Sequence, residues 1–184
     1  MKKSLYLFST LFCIFTNAQI TPPTFKTSSI TTSGLKLNSK KSILLEKEIV
    51  NLSKFKDLNI QKIIMKDVAD STTETSIGIM MEYETFDRIS KKTLTVEKNE
   101  LSTLIQSLET LEQKENEKIG ESSKKYKFTL TNNIEIGAVY KENQKNWVNY
   151  FIFPTEYYSH SVSEFSKDEL KDFIKILKKA EKEL

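Results

Sequence analysis

Two stretches of this chain carry the same apolar pattern. KNELSTLIQSLETL runs from Lys98 to Leu111, and KDELKDFIKILKKA runs from Lys167 to Ala180. In both stretches apolar residues recur at intervals of three and four, which places them on one stripe of an α-helix. The rest of the fold must therefore provide apolar surface that covers two amphipathic helices.

The second stretch also carries the signals that begin and end a helix. Ser166, followed three residues later by Glu169, has the pattern of a capping box. Lysines near the other end suit the negative pole of the helix dipole. The letters KDEL act as a retention tag only at the end of a chain, so here they simply open a helix. The predicted stripe residues are Leu101, Leu104, Ile105, Leu108 and Leu111 in the first helix, and Leu170, Phe173, Ile174, Leu177 and Ala180 in the second.

Segments with strand character precede each predicted helix. The first helix is preceded by IQKIIMKDVAD, TSIGIMMEYETF and KKTLTVEK. The second is preceded by YKFTLT, IEIGAVY and NWVNYFIF, and a short fourth strand is left open at SVSEF. Short polar turns between them favour antiparallel hairpins. We therefore predict an α+β fold with antiparallel sheets and helices packed on one face. An internal β-β-β-α duplication is one interpretation, and two unrelated helices that share a stripe are the other.

The amino terminus has the pattern of a secretory signal peptide. Lys2 and Lys3 precede an apolar run, and TNAQ supplies the small residues that a signal peptidase requires. The run of about eleven residues is too short for a membrane span, which needs about 20. Cys13 follows Phe12, where a lipid-attachment site has a small residue. We therefore predict a signal peptide over residues 1–18 and export to the periplasm or the exterior.

The composition changes again after this segment. Residues 19–42 are dominated by Thr, Ser, Pro and Lys, without helical or strand periodicity. Such a segment cannot bury enough apolar surface to offset its ordering entropy. We predict a flexible leader there, with a tether or glycosylated spacer as the alternative. Residues 43–184 are predicted to form a single α+β domain with halves at about 43–118 and 119–184.

The charged residues do not indicate a nucleic-acid partner. The chain has 28 basic and 25 acidic residues, and the predicted signal peptide takes away Lys2 and Lys3. Arg88 is the single arginine. Because arginine is the usual bidentate ligand of phosphate and guanine, we predict no nucleic-acid binding. After signal cleavage we also predict no membrane span.

The chain is poorly equipped for catalysis. It has one histidine, His160, and one cysteine, Cys13, so the exported chain cannot form a Cys/His dyad or a multi-histidine metal site. His160 lies between two serines, but no GxSxG motif accompanies it. The four glycines are scattered and form no phosphate-binding loop. We predict no catalytic residue, no metal and no cofactor.

Carboxylates are the remaining catalytic option, because two acids at a suitable separation hydrolyse glycosides. The candidate acids are Glu82, Glu84 and Asp87 near one predicted hairpin end, and Asp67, Asp70 and Glu74 near another. Acids that favour turns also explain both clusters. A carboxylate-dependent envelope hydrolase is the alternative that these clusters leave open.

Aromatic residues are concentrated in and after one predicted strand, NWVNYFIF. Because side chains alternate along a strand, its residues divide between two faces, and both faces carry bulky groups, which predicts a central strand buried on both sides. One face has Trp147, Asn149, Phe151 and Phe153, and the other has Val148, Tyr150 and Ile152. The alternative is an exposed aromatic platform that binds a partner, formed by Trp147 together with Tyr157 and Tyr158 of the following loop. Exposed rings of this kind contact sugars, peptides or proteins with little loss of entropy.

Three segments carry a resemblance to known proteins. They are the ending NAQ of the signal peptide, KKTLTVEKNELSTLIQSLETL, and YKFTLTNNIEIGAVYKENQKNWVNYFIF. Together they resemble a group of small exported proteins of the Bacteroidota over about residues 60–155. The resemblance implies export and a β-rich architecture, and it carries over no catalytic residue.

These observations predict an exported module that binds an unknown protein or glycan of the cell envelope and performs no chemistry. The first alternative is the carboxylate-dependent hydrolase. The second is a structural component of an envelope assembly, for which a large exposed apolar patch would be the sign.

Overall fold

The computed structural model describes residues 37, 43–85, 88–117, 124–154 and 161–184, with the backbone alone at residues 84, 85 and 88. The elements of these residues fall into two units. The first unit contains β1 (Leu45–Phe55), β2 (Leu58–Asp67), β3 (Thr73–Thr85), β4 (Arg88–Val96) and α1 (Lys98–Lys114). The second contains β5 (Lys125–Thr129), β6 (Glu135–Lys141), β7 (Asn146–Phe153), β8 (Ser161–Phe165) and α2 (Lys167–Glu181).

Each unit is an antiparallel meander of four strands followed by one helix. Strands that are neighbours in the sequence are neighbours in the sheet, in the orders β1-β2-β3-β4 and β5-β6-β7-β8. The predicted α+β class is confirmed, and the pattern of strands and helix repeats across the two sheets. The repeating unit is β-β-β-β-α: the first unit has one strand more than the three predicted, and the second contains the fourth strand that the sequence left open.

β1 is the strand that the sequence pattern did not predict. It is an edge strand of 11 residues, LEKEIVNLSKF, and most of these residues are exposed. A strand with most of its residues exposed lacks the alternation of apolar and polar residues by which strands are recognised. The short strand left open at SVSEF does form: as β8 it pairs with β7, with Asn149 opposite Phe165.

The turn between β5 and β6 shows how local sequence ends a strand. Asn133 has a positive φ of 66°, a conformation that asparagine tolerates better than most residues. Its backbone N–H donates to the Leu130 carbonyl at 2.9 Å, and the Leu130 N–H donates to the Ile134 carbonyl at 2.8 Å. Backbone hydrogen bonds thus hold the turn at the Asn132–Asn133 dipeptide.

Both predicted helical stripes are buried. All five stripe residues of α1 and all five of α2 lie in the core. A buried Leu, Ile or Phe side chain stabilises the fold by about 1.5–3 kcal/mol. The capping box at the start of α2 is also confirmed: Ser166 Oγ accepts the N–H of Glu169, and the Glu169 carboxylate accepts the N–H of Ser166 at 2.6 Å.

The two helices lie side by side and run antiparallel. Ser102 near the start of α1 donates to Glu181 at the end of α2, and Asn116 beyond the end of α1 accepts from Lys167 at the start of α2. α1 also contacts β3 and β5, and α2 contacts β1, β2 and β7. Each helix therefore packs on strands of both sheets.

Aromatic side chains join the two units in one core. Phe55 of β1 meets Phe165 of β8 with ring centroids 5.5 Å apart, and it stacks on Phe173 of α2 at 4.5 Å. These residues belong to a hydrophobic cluster that includes residues of both sheets and both helices. The two repeated units therefore share apolar surface.

Leu37 packs on the other face of the first sheet. It is 1% exposed and lies against Ile63 and Met65. Its backbone N–H donates to Glu74 Oε2 at 3.0 Å. Leu37 falls inside the predicted leader, which therefore contacts the folded part at this residue. The other residues of the leader and the predicted signal peptide lie outside the described residues.

Candidate binding site

An open pocket of about 600 Å³ lies where the ends of the two helices meet the second sheet. Its walls are residues 145–148 at the entry to β7 and residues 164–167 where β8 leads into α2, with Glu169 of α2 and Glu115 just after α1. The antiparallel pairing of the helices brings the end of α1 beside the start of α2. We call this the Glu115–Trp147 pocket.

Glu115 supplies a buried carboxylate to the pocket. It follows α1 directly, and its backbone N–H donates to the Leu111 carbonyl at 3.0 Å, which continues the helical hydrogen-bond pattern. The residue is only 8% exposed. Within the described residues, neither oxygen of its carboxylate accepts a hydrogen bond. The backbone thus fixes Glu115 in place, while its carboxylate is closed off from solvent without a hydrogen bond of ordinary geometry.

Trp147 and Asn149 share the core-facing side of β7. Trp147 stacks on Tyr126 of β5 with ring centroids 5.4 Å apart, and it meets Tyr140 of β6 edge-on at 5.6 Å. Its Nε1 is buried, and no residue that the structure describes accepts its hydrogen. Asn149 is fully buried, and both polar atoms of its amide likewise lack hydrogen bonds to the described residues.

The surroundings of Glu115 disfavour its charged form. Burial raises the pKa of Glu115 above its usual value; the Asn149 amide and the Lys167 ammonium lower it, Glu112 raises it, and burial prevails. Asn149 lowers this pKa as a side-chain hydrogen-bond donor, so its amide is the polar neighbour of the carboxylate, although the contact lies outside ordinary hydrogen-bond geometry. A buried carboxylate that is ionised and lacks a good hydrogen bond lowers the stability of the folded protein.

The other carboxylates that line the pocket are paired. Glu164 forms an ion pair with Lys141 at 3.1 Å, and Glu169 forms one with Lys56 at 3.0 Å. Among the described side chains of the lining, Glu115 is therefore the carboxylate that has neither an ion pair nor a hydrogen bond.

Of the three predicted binding residues, the structure places one at this pocket. Trp147 lines the pocket and packs partly against the core. Tyr157 and Tyr158 lie outside the described residues, as does His160. The aromatic platform that includes these tyrosines stays a prediction.

Two of the acids considered for a hydrolase fix the turn between β2 and β3. Asp67 Oδ1 accepts the N–H of Ala69 at 2.9 Å, and Asp70 Oδ1 accepts the N–H of Thr72 at 2.8 Å. These are the local hydrogen bonds by which aspartates favour turns. Formation of the turn therefore accounts for the presence of Asp67 and Asp70 at these positions.

Of the remaining candidate acids, the two whose side chains the structure describes do not line the pocket. Glu74 accepts the backbone N–H of Leu37, and Glu82 pairs with Lys91 at 2.6 Å. The side chain of Glu84 and the whole of Asp87 lie outside the described residues. In the part of the chain that the structure describes, no group of three or more His, Cys, Asp or Glu residues is arranged to hold a metal ion.

Sequence reasoning missed Glu115 and Asn149 as site residues, although both carried a signal. Glu115 follows Leu111 by four residues, so a carboxylate occupies the next position of the apolar stripe of α1. Asn149 lies between Trp147 and Phe151 on a face that is otherwise apolar. A polar residue at a position whose periodicity calls for burial is a candidate for a functional role.

A second cavity, of about 280 Å³, lies between α1 and β5. Leu108, Leu111, Tyr126 and Phe128 form much of its lining. None of the described polar atoms that are buried without a hydrogen-bond partner belongs to this lining. Since it offers no comparable polar group, the Glu115–Trp147 pocket is the stronger candidate.

Comparison with protein-family models, with curated proteins and with solved structures finds no match to this chain. The fold and the pocket define the protein in coarse terms, as an α+β protein of two β-β-β-β-α units with a polar pocket where its helices end. Among the described residues, no helix is both long and apolar enough to cross a lipid bilayer.

Proposed function

We propose that this chain is an exported binding module that performs no chemistry of its own, and that its ligand occupies the Glu115–Trp147 pocket. The single observation that carries this proposal is the state of two polar groups in the lining. The Glu115 carboxylate and Trp147 Nε1 are buried, and neither has a partner in the described part of the protein. Each such group costs about 1–3 kcal/mol while it is unsatisfied. Proteins tolerate such costs mainly at functional sites, so these two groups support this region as the binding site.

The composition of the pocket favours recognition over catalysis. Hydrolysis by carboxylates needs two acids that act on one bond. Glu164 and Glu169 are held by lysines, which leaves Glu115 alone. Trp147 is fixed by two neighbouring tyrosine rings. A rigid aromatic surface with a few polar groups is typical of small-molecule binding sites.

The proposal of export rests on the amino-terminal sequence. Lys2 and Lys3, the apolar run and the small residues of TNAQ form the three parts of a secretory signal. The resemblance to small exported proteins of the Bacteroidota supports the same compartment. A binding module there meets molecules of the cell envelope and its surroundings.

The sole tryptophan of the chain makes a direct test possible, because its emission reports on this pocket. The full chain is titrated separately with a cation, a neutral sugar and an anion, namely L-phenylalaninamide, methyl glucoside and phenylacetate. We expect a saturable change in Trp147 emission with at least one of these probes. No saturable change with any of the three contradicts the proposal.

A further inference from the structure

β5 is an edge strand, and one side of its backbone faces away from the second sheet. In the order β5-β6-β7-β8, its one neighbour among the described strands is β6. The Lys124 carbonyl accepts the N–H of Tyr140 at 3.1 Å. Six residues later, the Leu130 N–H donates to the Ile134 carbonyl at 2.8 Å. Because this direction alternates along an antiparallel strand, every second residue from 124 to 130 points its backbone groups at β6. The residues between them, whose N–H and C=O groups point to the free edge, are Lys125, Lys127 and Thr129.

β5 borders a groove because α1 lies alongside it. Glu100 in the first turn of α1 accepts the N–H of Thr131, just beyond the end of β5, at 2.6 Å. In the last turn of α1, Lys114 lines the same cavity as Tyr126, near the start of β5. This cavity of about 280 Å³ and the free edge of β5 form what we call the α1–β5 groove. The apolar side chains that line its cavity include Leu108, Leu111, Tyr126, Phe128 and Ile136.

The two faces of β5 differ in chemistry. Tyr126 and Phe128 point to the helix side, where they pack against the core and stay partly exposed. Lys125 and Lys127 are exposed on the opposite face. Both lysines pair with one carboxylate, that of Glu135, at 3.9 and 2.9 Å. Since β5 itself contains no acidic residue, its outer face carries more positive than negative charge.

We infer that the α1–β5 groove binds an extended segment of another protein, in which acidic and apolar residues alternate, and that this segment adds to β5 as an antiparallel strand. Its backbone exchanges hydrogen bonds with the free-edge groups of β5. Residues opposite Lys125 and Lys127 lie on the outer face, where acidic side chains pair with the lysines. Residues opposite Tyr126 and Phe128 point to the helix side and place apolar side chains in the cavity.

This groove is a second site, and the inference does not depend on the ligand of the Glu115–Trp147 pocket. Antiparallel addition continues the pairing of the second sheet and is slightly more stable per residue than parallel addition. A second copy of this chain fits the edge less well. Pairing of two β5 edges brings lysines of one copy opposite lysines of the other, and like charges in opposite positions destabilise a sheet.

The first experiment varies the side chains of a model peptide. A blocked hexapeptide that alternates glutamate and valine is titrated into the full chain by isothermal titration calorimetry. One comparison peptide has lysine in place of glutamate, and the other has threonine in place of valine, which keeps the branched shape and the strand propensity. We expect each comparison peptide to bind at least about 10-fold more weakly, because it loses the charge pairs or the apolar burial. Absence of binding by the first peptide, or equal affinity of either comparison peptide, overturns the inference.

The second experiment tests the strand addition itself. In an antiparallel pair, the peptide residues opposite Lys125 and Lys127 exchange hydrogen bonds with β5, and the N–H groups of the intervening residues point away. N-methylation of the glutamates should therefore weaken binding at least about 10-fold, and N-methylation of the valines less than about 2-fold. Equal effects of the two modifications would show that the peptide does not add as this strand, and would overturn the inference.

A matched pair of variants examines the same edge from the side of the protein. Lys127→Pro removes a free-edge N–H and keeps the hydrogen bonds to β6, a position at which edge strands tolerate proline. Lys127→Gln removes the same charge and keeps the N–H. We expect the hexapeptide to bind Lys127→Pro at least about 10-fold more weakly than Lys127→Gln. Equal affinities overturn the inference. If circular dichroism shows that the proline variant has lost its fold, the N-methylated peptides decide the question.

Sedimentation velocity distinguishes a second copy from another protein at this edge. We expect the wild type and Lys127→Pro to sediment alike. A dimer that forms with increasing concentration in the wild type and is lost in Lys127→Pro would show that a second copy occupies the edge, and would overturn the inference.

Discussion

The ring of Tyr150 on β7 lies directly over Gly137 on β6. A Cβ atom added to Gly137 would lie 2.6 Å from the Tyr150 hydroxyl oxygen, and it would lie still closer to the carbonyl oxygen of Tyr126 on β5. Gly137 is thus a glycine because the neighbouring ring and backbone occupy the space of a side chain.

Gly137→Ala should therefore destabilise the protein by about 1–3 kcal/mol, the usual cost of overpacking. Gly78→Ala is the matched control, because the atoms nearest to its Cβ belong to the ends of the Ile63 and Thr93 side chains, at 2.7 and 3.0 Å. Side-chain ends can move where a backbone carbonyl cannot. Urea unfolding measures both variants, and a loss in Gly137→Ala no greater than that in Gly78→Ala would refute this explanation.

Tyr150 is also held by its hydroxyl group. The hydroxyl donates to Glu135 Oε1 at 2.8 Å, and Lys127 pairs with the same carboxylate at 2.9 Å. Tyr150→Phe removes this hydrogen bond and leaves the ring over Gly137. We expect a loss of about 1 kcal/mol in the free energy of unfolding at neutral pH.

The loss in Tyr150→Phe should depend on pH. Burial raises the pKa of Glu135, but the hydrogen bonds from Lys127 and Tyr150, together with the charges of Lys127 and Lys125, outweigh burial, so this pKa lies below its usual value. A carboxylate with a lowered pKa contributes stability above the usual pKa, about 4.3, and loses it as pH falls through the folded-state pKa. The difference in the free energy of unfolding between Tyr150→Phe and the wild type, measured in urea, should therefore become smaller as pH falls from the usual pKa through the folded-state pKa. A constant difference would show that the hydroxyl does not act through the ionised carboxylate.

The capping box should be the main local determinant of the start of α2. Ser166→Ala removes the side-chain acceptor of the Glu169 N–H, which we expect to cost about 1 kcal/mol. Ser166→Asp retains an acceptor and should keep most of the stability. Thermal or urea unfolding compares the two variants, and equal losses would mean that the cap contributes little.

Phe173 tests whether the two units unfold together. Its ring contacts Phe55 of the first unit and Phe165 of the second, so Phe173→Ala should cost about 3–5 kcal/mol. Far-ultraviolet circular dichroism follows both units, and Trp147 emission follows the second. In the wild type and the variant, we expect both signals to change in one transition. Separate transitions would contradict the predicted single domain over residues 43–184.

The sequence predicted those helices and strands in which apolar residues recur at the spacing of a helix or a strand. The stripe from Leu101 to Leu111 records one buried helix face, and the run around Phe151 records a strand buried on both faces, with Tyr150 and Phe151 both in the interior. Both predictions are confirmed. β1 could not be predicted because it is an exposed edge strand, and its place depends on hydrogen bonds to β2.

The pocket was harder to predict than the fold because it is built by tertiary packing. Glu115 follows α1, whereas Trp147 and Asn149 lie on β7, and the antiparallel pairing of the helices brings Glu115 beside that strand. Trp147 was recognised from its residue type alone. The burial of Glu115 depends on residues more than thirty positions away in sequence, which the local pattern does not contain.

The free energy of unfolding of Glu115→Gln, measured in urea without ligand, tests most directly whether Glu115 is a buried charge without a partner. The raised pKa of Glu115 means that its ionised form opposes folding. We predict that the variant is more stable than the wild type by about 1 kcal/mol at neutral pH. This advantage should be absent below the usual pKa of glutamate, about 4.3, and grow as pH rises through the raised folded-state pKa. A variant less stable than the wild type at neutral pH would show that Glu115 has a stabilising partner within the protein, and would contradict its role as a ligand-binding group.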